Sequence, residues 1–356
     1  MITSPRFLTA RATAVSLAVF AAGLAGGNAM AQTKTLYIGM NGGDMERSYT
    51  KYVFPAFERI YGAKVVVVPG TSSDILAKVQ ANKEKPPVHV MFLDDGVMMR
   101  AIKMGLCQKM VDSPTLKDLY PAAHMAGGMA AGVNVGMTGI GYNKKMFDEK
   151  KWPAPTSWMD FADPKFKGKV VFQSLPSSSF GLHGFLMFNR IQGGSEKNVE
   201  PGFTKWGSTI GPNVLEYIPS SAKLSEMVQT GDAAIFPLTP TAVATQKARG
   251  IPMEYAQPKE GSVLLMVAEC VTANNDSPEL AQKLAEFLLT PQAQAAALEF
   301  GNQIPSNLKT QPSTPAAAAA VDQFKVYMKT VQTLDWDNVN QLRPDWNTRW
   351  SKQIER

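Results

Sequence analysis

Lys64-Val-Val-Val-Val68, followed by Pro69-Gly70-Thr71-Ser72-Ser73 and then by Val88-His-Val-Met-Phe-Leu93-Asp94-Asp95-Gly96, is the stretch that decides the fold. Lys64–Val68 is β-branched and uninterrupted, which is how a strand buried on both faces reads. Thr71-Ser72-Ser73 puts hydroxyls where helix caps belong and opens a helix carrying Ile75, Leu76 and Val79. Val88–Leu93 is the next strand, and Asp94-Asp95-Gly96 turns into another helix that runs to Gly105. Working upstream, Thr35–Met40 is a short apolar strand ending in Asn41-Gly42-Gly43, and a helix with Phe54, Phe57 and Ile60 on one face stops at Gly62. Strands alternating with helices imply a parallel sheet covered on both sides.

After Gly132 the pattern restarts. Val133–Tyr142 is an extended apolar segment long enough to pass from one lobe to another. Lys169–Phe172 predicts a strand, Pro176-Ser177-Ser178-Ser179 a turn, and Phe180–Ile191 a helix. A helix at Lys223–Thr230 leads into the strand Ala233–Phe236, then come a helix at Pro240–Arg249 and a short strand at Met253–Tyr255. Ser262–Thr272 is a second long apolar strand and the second crossover. Ser277–Thr290 and Gln292–Phe300 are amphipathic helices, the first with Pro278 at its first position. The Ala-rich stretch from Ala316 begins a terminal helical region containing Trp336, Trp346 and Trp350, read as packing anchors.

The chain has 356 residues, which by the usual domain size of about 100–200 residues makes two α/β lobes. Ligands of open α/β sheets bind beyond the carboxyl ends of the strands. Two such lobes facing each other make the shared cleft the site, and hinge closure traps the ligand.

The N-terminus reads as a secretory signal. Arg6 and Arg11 precede an apolar run from Ala14 to Ala25, no acidic residue occurs before Asp44, and Ala29-Met30-Ala31 is a small-x-small cleavage site. The run is shorter than the ~20 residues a bilayer span needs. Removing residues 1–31 takes two basic residues from the formal charge of +6 and leaves +4. The basic residues are scattered, without the aromatic-interleaved patch that nucleic-acid binding favours, so no nucleic acid is expected. Cys107 and Cys270 are the only cysteines. In an oxidising compartment they can pair or remain as two buried thiols, and their spacing does not decide.

The mature chain resembles the family of extracellular solute-binding proteins of ABC importers that includes the spermidine/putrescine receptors. The resemblance rests on Thr138-Gly-Ile-Gly-Tyr-Asn143, on Pro155-Thr-Ser-Trp158 leading to Asp163-Pro-Lys-Phe-Lys-Gly-Lys169, and on Gly231-Asp-Ala-Ala234. Pro258-Lys-Glu-Gly261, Ala285-Glu-Phe-Leu-Leu-Thr-Pro291 and the Trp346…Trp350 ending complete it. It implies a two-lobed periplasmic-binding-protein fold, each lobe a mostly parallel sheet flanked by helices, joined by extended hinge crossovers. Lobe 1 would comprise residues 32–137 and 268–312, lobe 2 residues 138–267 and 313–356. It also implies a monomer that hands its solute to an ABC permease in the inner membrane, with no cofactor and no chemistry of its own. Polyamine receptors of the family carry a Trp and an Asp where this chain has Leu265 and Val267, and a Trp where it has Gly42. Lacking those aromatic plates and that carboxylate, the cleft should hold linear polyamines poorly. Glu269 shares a strand face with Leu265 and Val267 and can replace the acid, or that face can meet solvent.

The candidate ligand-binding residues each have two readings. Thr71, Ser72 and Ser73 present a helix N-terminus suited to an anion, or simply cap the helix. Ser178, Ser179 and Phe180 repeat the arrangement in the second lobe. Asp94 and Asp95 can receive an ammonium, or serve as cap and surface acid. Asn41 and Gly42 allow close approach of a ligand to backbone, or form a plain turn. Tyr217, Thr239 and Tyr255 sit near strand ends, where they line the cleft or pack.

Catalysis finds little footing. His89, His124 and His183 have no metal-ligand spacing, and neither a Gly-x-Ser-x-Gly turn nor a phosphate-binding Gly-rich loop occurs. No Tyr-Tyr pair suggests ferric iron, and no metal is expected. The sequence therefore reads as a receptor for a small polar organic solute bearing an amine, an acid or both. A polyamine receptor with a rebuilt site is the alternative. An exported hydrolase or transferase, or an envelope protein coupled to a chemoreceptor, are the readings from other classes.

Overall fold

A computed structural model of the chain describes residues 33–221 and 223–355. The expected signal segment lies outside the described residues. From Lys34 on, the chain forms one compact unit. Its strands are β1 (Lys34–Met40), β2 (Ala63–Pro69), β3 (Val90–Asp94), β4 (Cys107–Gln108), β5 (His124–Met125) and β6 (Ala130–Asn143). They continue with β7 (Val170–Gln173), β8 (Val214–Ile218), β9 (Ile235–Leu238), β10 (Met253–Ala256) and β11 (Val263–Thr272). The main path of pairing runs β2-β1-β3-β11-β6-β9-β7-β8.

Two parallel groups sit at the ends of this path, β2-β1-β3 and β9-β7-β8. The antiparallel strands β6 and β11 join them. The first half of β6 pairs with β11 and its second half with β9 and β10, so this one strand runs from one parallel group to the other. An apolar core surrounds each group. The first gathers Leu36, Phe57, Ile75, Phe92, Met98, Val271 and Leu284. The second gathers Trp158, Phe172, Phe185, Trp206, Val339, Trp346 and Trp350, so the C-terminal helix Trp336–Gln353 is anchored there. Burying each of these rings removes roughly 150–250 Å² from water and dominates the local stability.

Several sequence expectations shift. β2 is an edge strand with an alternating pattern, and Val66 is 41% exposed, so the valine run is not covered on both faces. Ile60 is 58% exposed and does not share the buried face of Phe54 and Phe57, because six residues on from Phe54 it has turned about 120° round the same helix. β6 begins at Ala130 and passes through Gly132, where a Cβ would sit 2.2 Å from the sulfur of Met266. The pairing steps from Gly132 opposite Ala268 to Asn134 opposite Val267, making Val133 the extra residue of a bulge. The strand β8 follows a Gly211-Pro212 turn and has no counterpart among the strands expected from the sequence. Cys107 and Cys270 form a disulfide with Cα atoms 5.7 Å apart, tying β4 to β11.

Candidate functional site

The carboxyl ends of the parallel strands supply the polar residues between the two cores. β3 ends in Asp94, whose N–H donates to the buried Ser72 Oγ at 3.0 Å. Asp95 opens the helix Asp95–Lys103 and accepts from the Gly96 N–H at 2.9 Å. On the other side, β7 leads to Ser178, which caps the helix Ser179–Ile191 by accepting from the Phe180 N–H and donating to Gln173 Oε1 at 2.6 Å. The Ser179 hydroxyl then reaches across and donates to Asp94 Oδ2 at 2.6 Å.

One turn along the same helix, at the i+4 position, stands His183, fully buried with its Nδ1 2.8 Å from Thr138 Oγ1 of β6. The C-terminal helix closes the cluster. The Trp336 ring lies against Gly96, where a Cβ would come within 2.3 Å of it, and the Asn340 amide donates to the Gly96 carbonyl at 2.9 Å. Asp337 pairs with Lys103 at 2.7 Å. Arg343, 5% exposed, donates to the Leu175 carbonyl at 3.1 Å. A separate bridge on the far rim joins Asp44 to Arg249 and Gln246, with the Gln246 contact at 3.3 Å.

The electrostatics follow from burial. Burial drives the Asp94 carboxyl above its ordinary value, and the Ser179 hydroxyl, the Arg343 guanidinium and the Ser72 hydroxyl oppose it. Asp95 is pushed up to about 8 by burial first and by the neighbouring Asp94 charge second. Hydrogen bonds from Gly96, Trp336 and Met266 offset part of that shift. Burial, then the Arg343 charge, lowers His183 to about 3, so its ring is neutral. Burial and the Arg100 charge bring Arg343 to about 10, still a cation at neutral pH.

Of the sequence candidates, the structure brings Ser72, Asp94, Asp95, Ser178 and Ser179 together. Thr71 is engaged in a capping box with Asp74, and Ser73 is half-buried beside it on the first turn of that helix. Asn41 is half-buried and Gly42 exposed in the turn after β1. Phe180 packs against the cluster of Val171, Phe236 and Leu238. Thr239 caps the helix Pro240–Ala248. Tyr255 donates to Gln257 at 2.8 Å, with its ring 5.0 Å from that of Tyr327. Tyr217 accepts from the Trp206 indole at 2.8 Å within the second core and stands apart from the Asp94 cluster. Glu269 is fully buried opposite Phe92 and beneath Tyr49, not on a solvent face, and neither of its carboxyl oxygens has a hydrogen-bond partner.

Thr138, His183, Trp336, Asn340 and Arg343 escaped the sequence reading as site residues. The signal available was spacing: Ser179 and His183 lie four apart, and Trp336, Asn340 and Arg343 lie at i, i+4 and i+7 of one helix face.

Comparison with known proteins places the chain. An uncharacterized protein of Haemophilus influenzae is 25% identical over 311 residues, 85% of this chain and 87% of that one. The spermidine/putrescine-binding periplasmic protein of Escherichia coli strain K12 is 24% identical over 204 residues, and the match spans 57% of each chain. Among solved structures, the periplasmic binding protein AfuA of Actinobacillus pleuropneumoniae, determined with fructose-6-phosphate bound, superposes with a TM-score of 0.75. It is 20% identical, over 91% of this chain and 99% of that one. That likeness gives the two-lobed fold. The family model for bacterial extracellular solute-binding proteins matches residues 53–335, and the chain belongs to that family.

Proposed function

We propose that the solute is a small polar organic molecule carrying an amine, held in the cleft between the two cores and passed to an inner-membrane ABC permease. The observation that carries this reading is the pair Asp94 and Asp95. Two adjacent carboxyls at the end of β3 are both driven toward their neutral forms, and among the described residues none forms an ion pair with either. An ammonium beside them restores their ionisation, because an opposite charge within about 4–6 Å favours the charged form. Ser179 reaches Asp94 from the opposite core, so closure brings the second lobe onto the same group. The long strands β6 and β11 supply the hinge.

The test is a thermal-shift screen of ligand-stripped protein against amines, amino acids, phosphonates and sugar phosphates. A ligand at 100 times its dissociation constant adds about 2.7 kcal/mol of stability. Amine-bearing hits that vanish in Asp95→Asn support the reading, whereas hits confined to uncharged or purely anionic solutes overturn it.

The likeness to the spermidine/putrescine-binding protein favours a second reading, a polyamine receptor rebuilt around Glu269 and Asp95. Leu265 and Val267, where the resemblance implies Trp and Asp, weigh against it. Tight putrescine binding lost in both Glu269→Gln and Asp95→Asn would establish it. Putrescine binding that survives Glu269→Gln confines the site to Asp94 and Asp95.

A further inference from the structure

Arg343 is a guanidinium almost entirely removed from water, yet among the described residues the Leu175 carbonyl is its one hydrogen-bond acceptor. Its Nε has no partner, and among the described residues no carboxylate forms an ion pair with it. A buried charge is costly unless it is paired and hydrogen-bonded. Beside it stands His183, completely buried, whose Nε2 is also without a partner. Thr138 Oγ1 and His183 Nδ1 share a hydrogen bond whose direction depends on the tautomer; with the hydroxyl donating, the ring's single proton sits on Nε2. In that tautomer two buried N–H donors, one on a fixed cation, lack acceptors in the same cluster. Trp336 neighbours both groups: its ring centroid is 5.9 Å from that of His183, and it also donates to Asp95.

Resting on the receptor reading above, we propose that Arg343 Nε and His183 Nε2 receive an oxyanion of the solute. The solute class is then a zwitterion, with its ammonium at Asp94 and Asp95 and a carboxylate, phosphonate or phosphate at Arg343 and His183. An oxyanion presents several lone pairs to donors on different elements, so one group can satisfy both orphan N–H bonds, and guanidinium–oxyanion hydrogen bonds are the strong, charge-assisted kind. Asp94 and Arg343 each favour the other's charged form, yet among the described residues no hydrogen bond or ion pair joins them, so the Arg343 Nε stays without an acceptor. The bound acid group would tie the C-terminal helix to the Ser179 helix across β6, while the ammonium end engages the start of the Asp95 helix.

The experiment is calorimetric titration of ligand-stripped full-length protein with matched probes: 4-aminobutyrate and 2-aminoethylphosphonate against butylamine and putrescine. The expected result is that at least one zwitterion binds about tenfold or more tightly than butylamine. Arg343→Gln should abolish that advantage, bringing the ratio of zwitterion to butylamine affinity to about one. His183→Leu, which keeps the Arg343–Leu175 bond, should reduce it in the same direction, and it serves if Arg343→Gln does not fold. Preference for carboxylate over phosphonate, or the reverse, identifies which oxyanion is taken. Binding of the amines with no gain from the acid group, or a zwitterion affinity indifferent to both substitutions, overturns this inference and leaves the amine-receptor reading standing. Failure of all four probes, with a hit only among uncharged solutes in the broader screen, overturns both.

Discussion

The Ser179 hydroxyl donates to the Asp94 carboxylate at 2.6 Å, although the two residues stand 85 positions apart and belong to different parallel strand groups. Nothing in the local structure of either residue needs this bond. Ser178, not Ser179, caps its helix, and Asp94 ends a strand already paired to β11. The bond is therefore a clasp between the two halves of the molecule. Ser179→Ala should leave the melting temperature of the ligand-free protein within a few degrees, since a single hydrogen bond contributes about 1 kcal/mol net. Ligand dissociation should accelerate about fivefold with little change in association, because interface changes act mostly on the off-rate. Stopped-flow release measures it, and an unchanged off-rate would deny the clasp any part in retention.

Asp95 makes stability depend on pH in a definite direction. Its folded value of about 8 lies above its ordinary value of 3.8. Between those values the folded protein holds a proton that the unfolded chain has released. Its contribution is therefore fully present below about pH 4 and lost as pH rises through 8. Asp94 and Glu269, also raised by burial, act with the same sign. Above pH 6.5, where the buried neutral His183 no longer acts with the opposite sign, ligand-free protein should lose stability up to about pH 8, by up to about 1.4 kcal/mol per unit from Asp95. Asp95→Asn should flatten part of that slope, which melting curves across pH would read.

Amine binding should follow the opposite course. A cation binds the ionised form of Asp95, so below pH 8 each binding event must expel a proton, and affinity should rise up to tenfold per pH unit until about pH 8. Titration in two buffers of different ionisation enthalpy counts the released proton directly. Affinity that is flat from pH 6 to 8 would mean that Asp95 does not contact the ammonium.

How legible this was in the sequence differs from element to element. β1, β3 and β11 were readable because apolar runs of strand length end in turn residues. The buried status of β2 was not, because a valine run reads the same at a sheet edge as in its centre, and only the order β2-β1-β3 settles it. Gly132 looked like a boundary and is instead a strand residue where the Met266 side chain leaves no room for a Cβ. Asp94, Asp95 and Ser179 were legible as strand-end and helix-start residues facing a cleft. His183 and Arg343 were not, because each needs a partner more than 40 residues away to become notable: Thr138 for the first, Leu175 for the second. Pairing of Cys107 with Cys270 depended on a register between β4 and β11 that no local pattern encodes.

The disulfide should matter for stability and little for ligand binding. It closes a separation of 163 residues, for which the chain-entropy estimate is about 5 kcal/mol, an upper figure in practice. Cys270 lies three residues along β11 from Val267, the partner of Asp94, which is about 10 Å of strand away from the cleft. Cys107→Ser/Cys270→Ser should lower the denaturant midpoint clearly and leave solute affinity within about twofold. A large loss of affinity would mean that β11 transmits strain to the cleft.

Gly96 is where the C-terminal helix meets the start of the Asp95 helix. A methyl group there would overlap the Trp336 ring, whose nearest atom lies 2.3 Å from the Cβ position, and the ring is too rigid to yield without moving its helix. Gly96→Ala should therefore displace Trp336, weaken the Asn340 bond to the Gly96 carbonyl and strip Asp95 of its indole donor. Overpacking of this kind typically costs about 1–3 kcal/mol. The anchoring of Trp346 and Trp350 in the second core is untouched, so the chain should still fold while the closed arrangement becomes less favourable. Small-angle scattering of Gly96→Ala at saturating solute should show a larger radius than wild type, and solute affinity should fall at least tenfold. If the radius and the affinity both match wild type, the Trp336 contact is packing that closure does not use. If the affinity alone falls, Trp336 touches the solute rather than holding the lobes.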